Sequence, residues 1–253
     1  MSVTLEVRRD AEDAAAYCAA RIAELLTRAL DARRLATLAV SGGTTPRLLF
    51  DRLATADIDW ARIHLFWIDE RAVPPEDPRS NYRLARTHLI VPAGIPVANV
   101  HRVPAELEPA TAAARYEAEI REFFGIAGGG MPRIDVVHRG TGADAHTASL
   151  FPGDVLVMDR DRIAASVYIE KLMEWRITLL PGVLLAASKT VVLALGDDKA
   201  EAVRAVFREP YNPSLYPAQL GRDRDAEWVL DEAAARRLAE DIERARRSRM
   251  PGV

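Results

Sequence analysis

A single cysteine in 253 residues, Cys18, leaves no partner for an internal disulfide and no thiolate set for a structural zinc site. Placed at an apolar position of an Ala-rich stretch, it reads as a small buried hydrophobe. An excess of either charge is also missing. Lys and Arg number 34 against 37 Asp and Glu, a formal net charge of −3, and that balance excludes a nucleic-acid partner held by bulk charge. The N-terminal stretch MSVTLEVRRDAEDAAAYC carries acids early and has no apolar core flanked by basic residues. It therefore reads as neither signal peptide nor membrane span, which predicts a cytoplasmic protein with no membrane partner. His64, His88 and His101 are too scattered to make a metal site, and no metal is expected. What remains, 49% hydrophobic and 28% charged residues, is the composition of an ordinary globular chain. Residues 1–253 are read as a single α/β domain, a monomer or small homo-oligomer.

Apolar residues recur at three and four from Asp10 to about Ala32 (Ala15, Cys18, Ala19, Ile22, Leu25, Leu26, Leu30), one face of a helix. A strand at Leu35 to Val40 then runs into Ser41-Gly42-Gly43-Thr44-Thr45-Pro46, and a helical pattern resumes from Pro46, a residue suited to a first helical turn. A second strand, Ile63 to Ile68, ends in Asp69-Glu70-Arg71, with a Pro-rich loop leading to a helix near Asn81. Strand Val97 to Val103 and helix Ala110 to Phe124 precede a strand from Arg133 to Arg139, which enters the loop Gly140 to Pro152. Beyond it lie strands near Ser166 to Glu170 and Arg176 to Leu180, and a helix at Val183 to Ala187. Strand Thr190 to Leu195, helix Asp198 to Phe207, strand Trp228 to Leu230 and helix Asp231 to Arg247 close the chain. Strands alternating with helices predict an open, mostly parallel twisted sheet, Rossmann-like, covered on both faces. Ligands bind such sheets outside the carboxyl ends of strands, where the loops at Ser41, Asp69 and Gly140 all fall.

Two glycines, three hydroxyls and the backbone N–H groups of a helix start make Ser41 to Thr45 a candidate phosphate loop, though a plain strand-to-helix turn has the same appearance. It matches neither a Walker loop nor GxGxxG, so a nucleotide cofactor is not indicated. Among five histidines, only His146 sits in a glycine loop after a strand, two residues past Asp144. That place suits a general base with a carboxylate nearby, and equally a surface histidine beside a capping acid. Asp69 to Arg71 could line a cleft or form a salt-bridged turn. Arg176 and Lys199 are candidate phosphate partners. Tyr116, Trp67, Trp175 and Trp228 read as packing.

Taken in order, Ser41-Gly42-Gly43-Thr44-Thr45-Pro46, Asp69-Glu70-Arg71 with Ser80-Asn81-Tyr82, Gly140-x-Gly142-x-Asp144-x-His146-Thr147-Ala148-Ser149-Leu150-Phe151-Pro152, Arg176-Ile177-Thr178 and Gly196-x-x-Lys199-Ala200 resemble the 6-phosphogluconolactonase family. The resemblance covers nearly the whole chain. It implies hydrolysis of a phosphorylated sugar lactone, 6-phospho-D-glucono-1,5-lactone, without metal or organic cofactor, in the oxidative pentose phosphate pathway. His146 would match the base that activates water, with Asp144 orienting the loop or the ring. Ser41 and Gly42 to Thr45, with Arg176 and Lys199, would match the phosphate grip, and Asp69, Arg71 and Asn81 the sugar end. A lactone is an activated ester, so one base, an anchored phosphate and donors at the oxyanion suffice.

Departures from the family pattern cluster beside the proposed base: His138-Arg139 interrupts an apolar run, Thr141 stands where methionine is usual, and Ala145 where glycine is usual. If position 145 requires positive φ, alanine costs about 1 kcal/mol or re-aims His146. Lys171 to Trp175 replaces a segment that is commonly Pro-rich. Two other readings follow, an amino-sugar phosphate isomerase or deaminase and a sugar-phosphate binding protein without turnover.

Overall fold

A computed structural model of the chain describes residues 3–222 and 226–247, with the side chains of Thr44 and residues 241–247 outside that description. In chain order the elements are β1 (Thr4–Arg8), α1 (Ala11–Ala32), β2 (Ala36–Val40), α2 (Thr44–Leu53), β3 (Ile63–Trp67), β4 (Asp69–Arg71), α3 (Asn81–Ala85), α4 (Val91–Ala93) and β5 (Val100–His101). There follow α5 (Pro109–Phe124), β6 (Val136–Arg139), β7 (Ala164–Ile169), β8 (Glu174–Leu179), α6 (Pro181–Ala186), β9 (Lys189–Ala194), α7 (Ala200–Arg208), β10 (Glu227–Asp231) and α8 (Glu232–Arg247). Asp10 caps α1 by accepting from the Asp13 amide, and all seven apolar residues read as its stripe are buried, Cys18 among them.

Seven strands form a parallel sheet in the order β1-β10-β9-β6-β2-β3-β5. From β2 the chain proceeds outward to β3 and β5, and from β6 it proceeds the other way to β9 and β10. The sheet therefore reverses direction between β2 and β6, and the crevice at their carboxyl ends is where such a sheet binds ligands. Every residue of β2 is buried, as expected of a strand covered on both faces. At the end of β3 the Tyr116 hydroxyl accepts from the Trp67 amide and donates to the Trp67 carbonyl, both at 2.8 Å, which ties α5 to the sheet.

Two features were not foreseen. The sheet gains an edge strand, β1, along β10. Asp69 to Arg71 is not merely the end of β3 but a short strand of its own, in a three-stranded antiparallel sheet ordered β4-β8-β7. Its register sets Asp69 opposite Thr178 and Arg71 opposite Arg176, so these four share one face of the small sheet. Trp67, Trp228 and Tyr116 are core residues, and Trp175, 46% exposed near the tip of the β7–β8 hairpin, packs on Tyr168 with ring centroids 5.4 Å apart. His64, His88 and His101 take structural partners: His64 Nδ1 lies 2.9 Å from His101 Nε2, His101 meets Glu119, and His88 meets Asp51.

Candidate functional site

The loop after β2 reaches the cleft because Gly42 lets another element approach. A Cβ at Gly42 would fall 1.9 Å from Asn81 Oδ1, so the buried Asn81 side chain occupies the space that any larger residue would need. Asn81 is held in turn by its Nδ2, which donates to the Asp69 carbonyl at 2.9 Å. Glu70, buried, organises the start of α3 by accepting from the Asn81 and Tyr82 amides (both 2.7 Å) and from Ser80 Oγ (3.1 Å). Burial pushes the Glu70 carboxyl up, against the backbone amides that pull it down. Gly43 precedes α2 with no side-chain cap and no acid in the first turn. The open N–H groups and positive dipole end of this ten-residue helix thus make a candidate anion site.

The loop after β6 turns tightly. The Gly142 amide donates to the His146 carbonyl at 2.9 Å, and the Ala145 amide to the Gly142 carbonyl at 3.0 Å. Asp144 Oδ1 lies 2.5 Å from His146 Nδ1 and also accepts from the His146 amide. Asp144 Oδ2 pairs with Lys171 Nζ. Burial pushes the Asp144 carboxyl up, but the hydrogen bonds from His146 and Lys171 outweigh it and hold the group well below the ordinary carboxylate range. Asp144 is therefore an anion at neutral pH, and as an acceptor it keeps a proton on Nδ1 of His146. Behind the imidazole the Phe151 ring stacks at 4.2 Å between centroids and 25° between planes. The condition set for position 145 is met: Ala145 has φ of +63°, and Ala148 follows with φ of +50°. Two alanines in the left-handed region bracket His146 and Thr147, and the Ala218 amide, donating to the Ala145 carbonyl at 2.8 Å, holds the first of them.

These loops enclose a cleft of about 190 Å³ lined by Ser41, Gly42, Gly43, Thr45, Arg71, His146 and Lys199 among others. The carboxylate of Asp231 accepts from the Gly196 amide at 3.0 Å and fixes the turn that carries Lys199. Lys199 Nζ also lies 2.8 Å from Asp198. Arg71, assigned on sequence to the sugar end, stands on the same wall as the glycine loop; its Nη1 donates to the Arg79 carbonyl at 2.5 Å. Arg176, assigned to the phosphate grip, is instead 8% exposed and does not line the cleft: its Nε donates to Glu174 at 2.8 Å, and Nη1 lies 3.8 Å from Asp69. Two acids lie beside that guanidinium, Glu174 and Asp69. Asp69 and Asn81 are also buried behind the wall, Asp69 accepting from Ser149 Oγ at 3.0 Å. The Thr44 side chain lies outside the described residues. Among the described residues no group of three or more His, Cys, Asp or Glu could hold a metal ion, and no helix is long and apolar enough to cross a membrane. Sequence reasoning missed Lys171 and Ser149 as partners of site residues. Ser149 stood inside a quoted motif, whereas Lys171 carries no local signal.

Comparison with known proteins places the chain among described relatives. A family model described as glucosamine-6-phosphate isomerases/6-phosphogluconolactonase matches residues 9–230. The 6-phosphogluconolactonase of Nostoc sp. is 36% identical over 241 residues, covering 94% of this chain and all of that protein. That of Synechocystis sp. is 35% identical over 215 residues, covering 84% and 89%. The crystal structure of a protein called devB superposes with a TM-score of 0.84 at 30% identity, covering 93% of this chain and 99% of that one.

Proposed function

The chain belongs to the glucosamine-6-phosphate isomerase/6-phosphogluconolactonase family, and on that premise we propose that it hydrolyses 6-phospho-D-glucono-1,5-lactone to 6-phospho-D-gluconate with His146 as general base. The observation that carries the reading is the Asp144–His146 hydrogen bond opening onto a cleft that also holds Arg71, Lys199 and the start of α2. The substrate phosphate binds at Ser41 to Thr45, where helix amides, the Arg71 guanidinium and the Lys199 ammonium supply positive potential. Arg176 acts one step back, where with Asp69 and Thr178 it fixes the face of the small sheet that carries Arg71. Asp69 and Asn81 shape the sugar end by holding the glycine loop in place.

In the reaction His146 Nε2 takes a proton from water as the water oxygen attacks the lactone carbonyl carbon. The tetrahedral intermediate then expels the ring oxygen, which receives the proton from the imidazolium, and a carboxylic acid forms that ionises in solution. Asp144 keeps the proton on Nδ1 and offsets the charge of the imidazolium. The reaction belongs to the oxidative pentose phosphate pathway, and the same reading makes the protein cytoplasmic, a monomer or small homo-oligomer, with neither nucleic acid nor membrane as partner. The test generates the lactone in place from glucose 6-phosphate and compares its hydrolysis, above the spontaneous rate, with ammonia release from glucosamine 6-phosphate. Hydrolysis without ammonia release is expected. Ammonia release would make the chain a deaminase, and neither activity, with 6-phosphogluconate still bound, would make it a binding protein.

A further inference from the structure

The tip of the β7–β8 hairpin sends one side chain to the proposed base, and from that juxtaposition we infer that Lys171 is a positioning residue, its ammonium clamping both groups that flank His146. Lys171 Nζ pairs with Asp144 Oδ2, the oxygen that His146 does not use. The same nitrogen lies 4.4 Å over the Phe151 ring. Phe151 in turn stacks on the imidazole. One cation therefore touches both the carboxylate bonded to the Nδ1 edge of the ring and the aromatic ring stacked on its face.

The arrangement does two things. With Oδ2 satisfied by Lys171, the carboxylate presents Oδ1 to Nδ1 and cannot rotate freely about its last bond, so Nε2 stays aimed at the cleft. The second effect is electrostatic: the ammonium offsets part of the Asp144 charge and so reduces the stabilisation of the imidazolium. Other charged groups near the ring are Arg71 and Lys199 across the cleft. An ordinary exposed ion pair would matter little. Here the acid partner is half-buried and tied to the reacting ring, which distinguishes this pair from the many surface pairs on the molecule. The left-handed turn at Ala145 and Ala148 gives the clamp a purpose, since the loop that aims His146 is held in a conformation alanine disfavours.

The inference rests on the lactonase reading, so its test has one arm that needs no turnover. Lys171 is 54% exposed in its side chain, and Lys171→Met leaves the core untouched. In Lys171→Met, kcat for the lactone falls about tenfold with KM changed less than twofold, the acid limb of the kcat profile moves to higher pH, and Lys171→Arg restores most of both. In the turnover-free arm, the His146 imidazole nitrogen resonances in labelled protein report its tautomer and its titration, and Lys171→Met shifts both. A raised KM with unchanged kcat would make Lys171 a substrate contact and overturn the assignment. Unchanged imidazole resonances would overturn it too, whether or not the wild type hydrolyses the lactone. Loss of the lactone activity in wild type alone would sink the function and leave the clamp to be judged on the resonances.

Discussion

Adding one methyl group at Gly142 tests whether the aim of His146, rather than its mere presence, sets the rate. An ideal Cβ there would lie 2.0 Å from His146 Nδ1, 2.1 Å from Cε1 and 2.7 Å from Asp144 Oδ1. Ordinary contact begins near 3.4 Å, so the ring must retreat by about 1.4 Å and its hydrogen bond to Asp144 must break or re-form elsewhere. The ring has somewhere to go, because it borders the open cleft, so the fold survives with a small change in melting temperature. A misplacement of about 1 Å can cost roughly a hundredfold in rate. In Gly142→Ala, kcat for the lactone therefore falls about a hundredfold while 6-phosphogluconate, held by its phosphate at the glycine loop, binds within about threefold of wild type. The assay is lactone hydrolysis above the spontaneous rate, with calorimetric titration of the product. A kcat within twofold of wild type would refute the reasoning, since it would mean that the Asp144–His146 contact is dispensable.

Three further outcomes follow from the same geometry. Arg71→Ala and Lys199→Ala each remove a charge-assisted contact to the phosphate, and each raises KM about tenfold with a smaller effect on kcat; an unchanged KM in either strikes that residue from the grip. Ala145→Gly relieves about 1–2 kcal/mol of left-handed strain against about 0.5–1 kcal/mol of added chain entropy, so melting rises by up to about 6 °C; a fall in melting temperature would mean that the alanine methyl contributes more packing than strain. His138, fully buried in β6 with neither ring nitrogen partnered among the described residues, is pushed down by burial to about 3. The folded state then binds fewer protons than the unfolded chain between about pH 6.5 and pH 3, so stability rises with pH and is lost as pH falls through that window. His138→Leu removes that slope, as melting curves from pH 7 to pH 4 would record; an equal slope in both proteins would exclude His138 as its source.

What the sequence disclosed about this fold was periodic or punctuated. The stripe from Ala15 to Leu30 places α1 against the sheet, and the glycine loops after β2 and β6 mark the two strand ends that turn out to be neighbours. Local pattern could not disclose pairings made across the chain. Asp69-Glu70-Arg71 has no strand signal of its own, and it becomes a strand because β8, a hundred residues on, hydrogen-bonds to it. Arg176 looked available for a phosphate until Glu174 and Asp69 were seen beside it. Lys171 stands 27 residues from Asp144, and only the folding of the hairpin over the β6 loop joins them. The residues that would touch substrate were legible as motifs, whereas those that hold them came from tertiary contacts.

The central claim is that His146 activates the water, and the most direct measurement sets wild type beside His146→Ala in two assays on the same preparations. Lactone generated in place should be hydrolysed well above the spontaneous rate by wild type and at the spontaneous rate by the variant, while 6-phosphogluconate raises the melting temperature of both alike. Hydrolysis by the variant at the wild-type rate would contradict the account and send the search for the base elsewhere in the cleft.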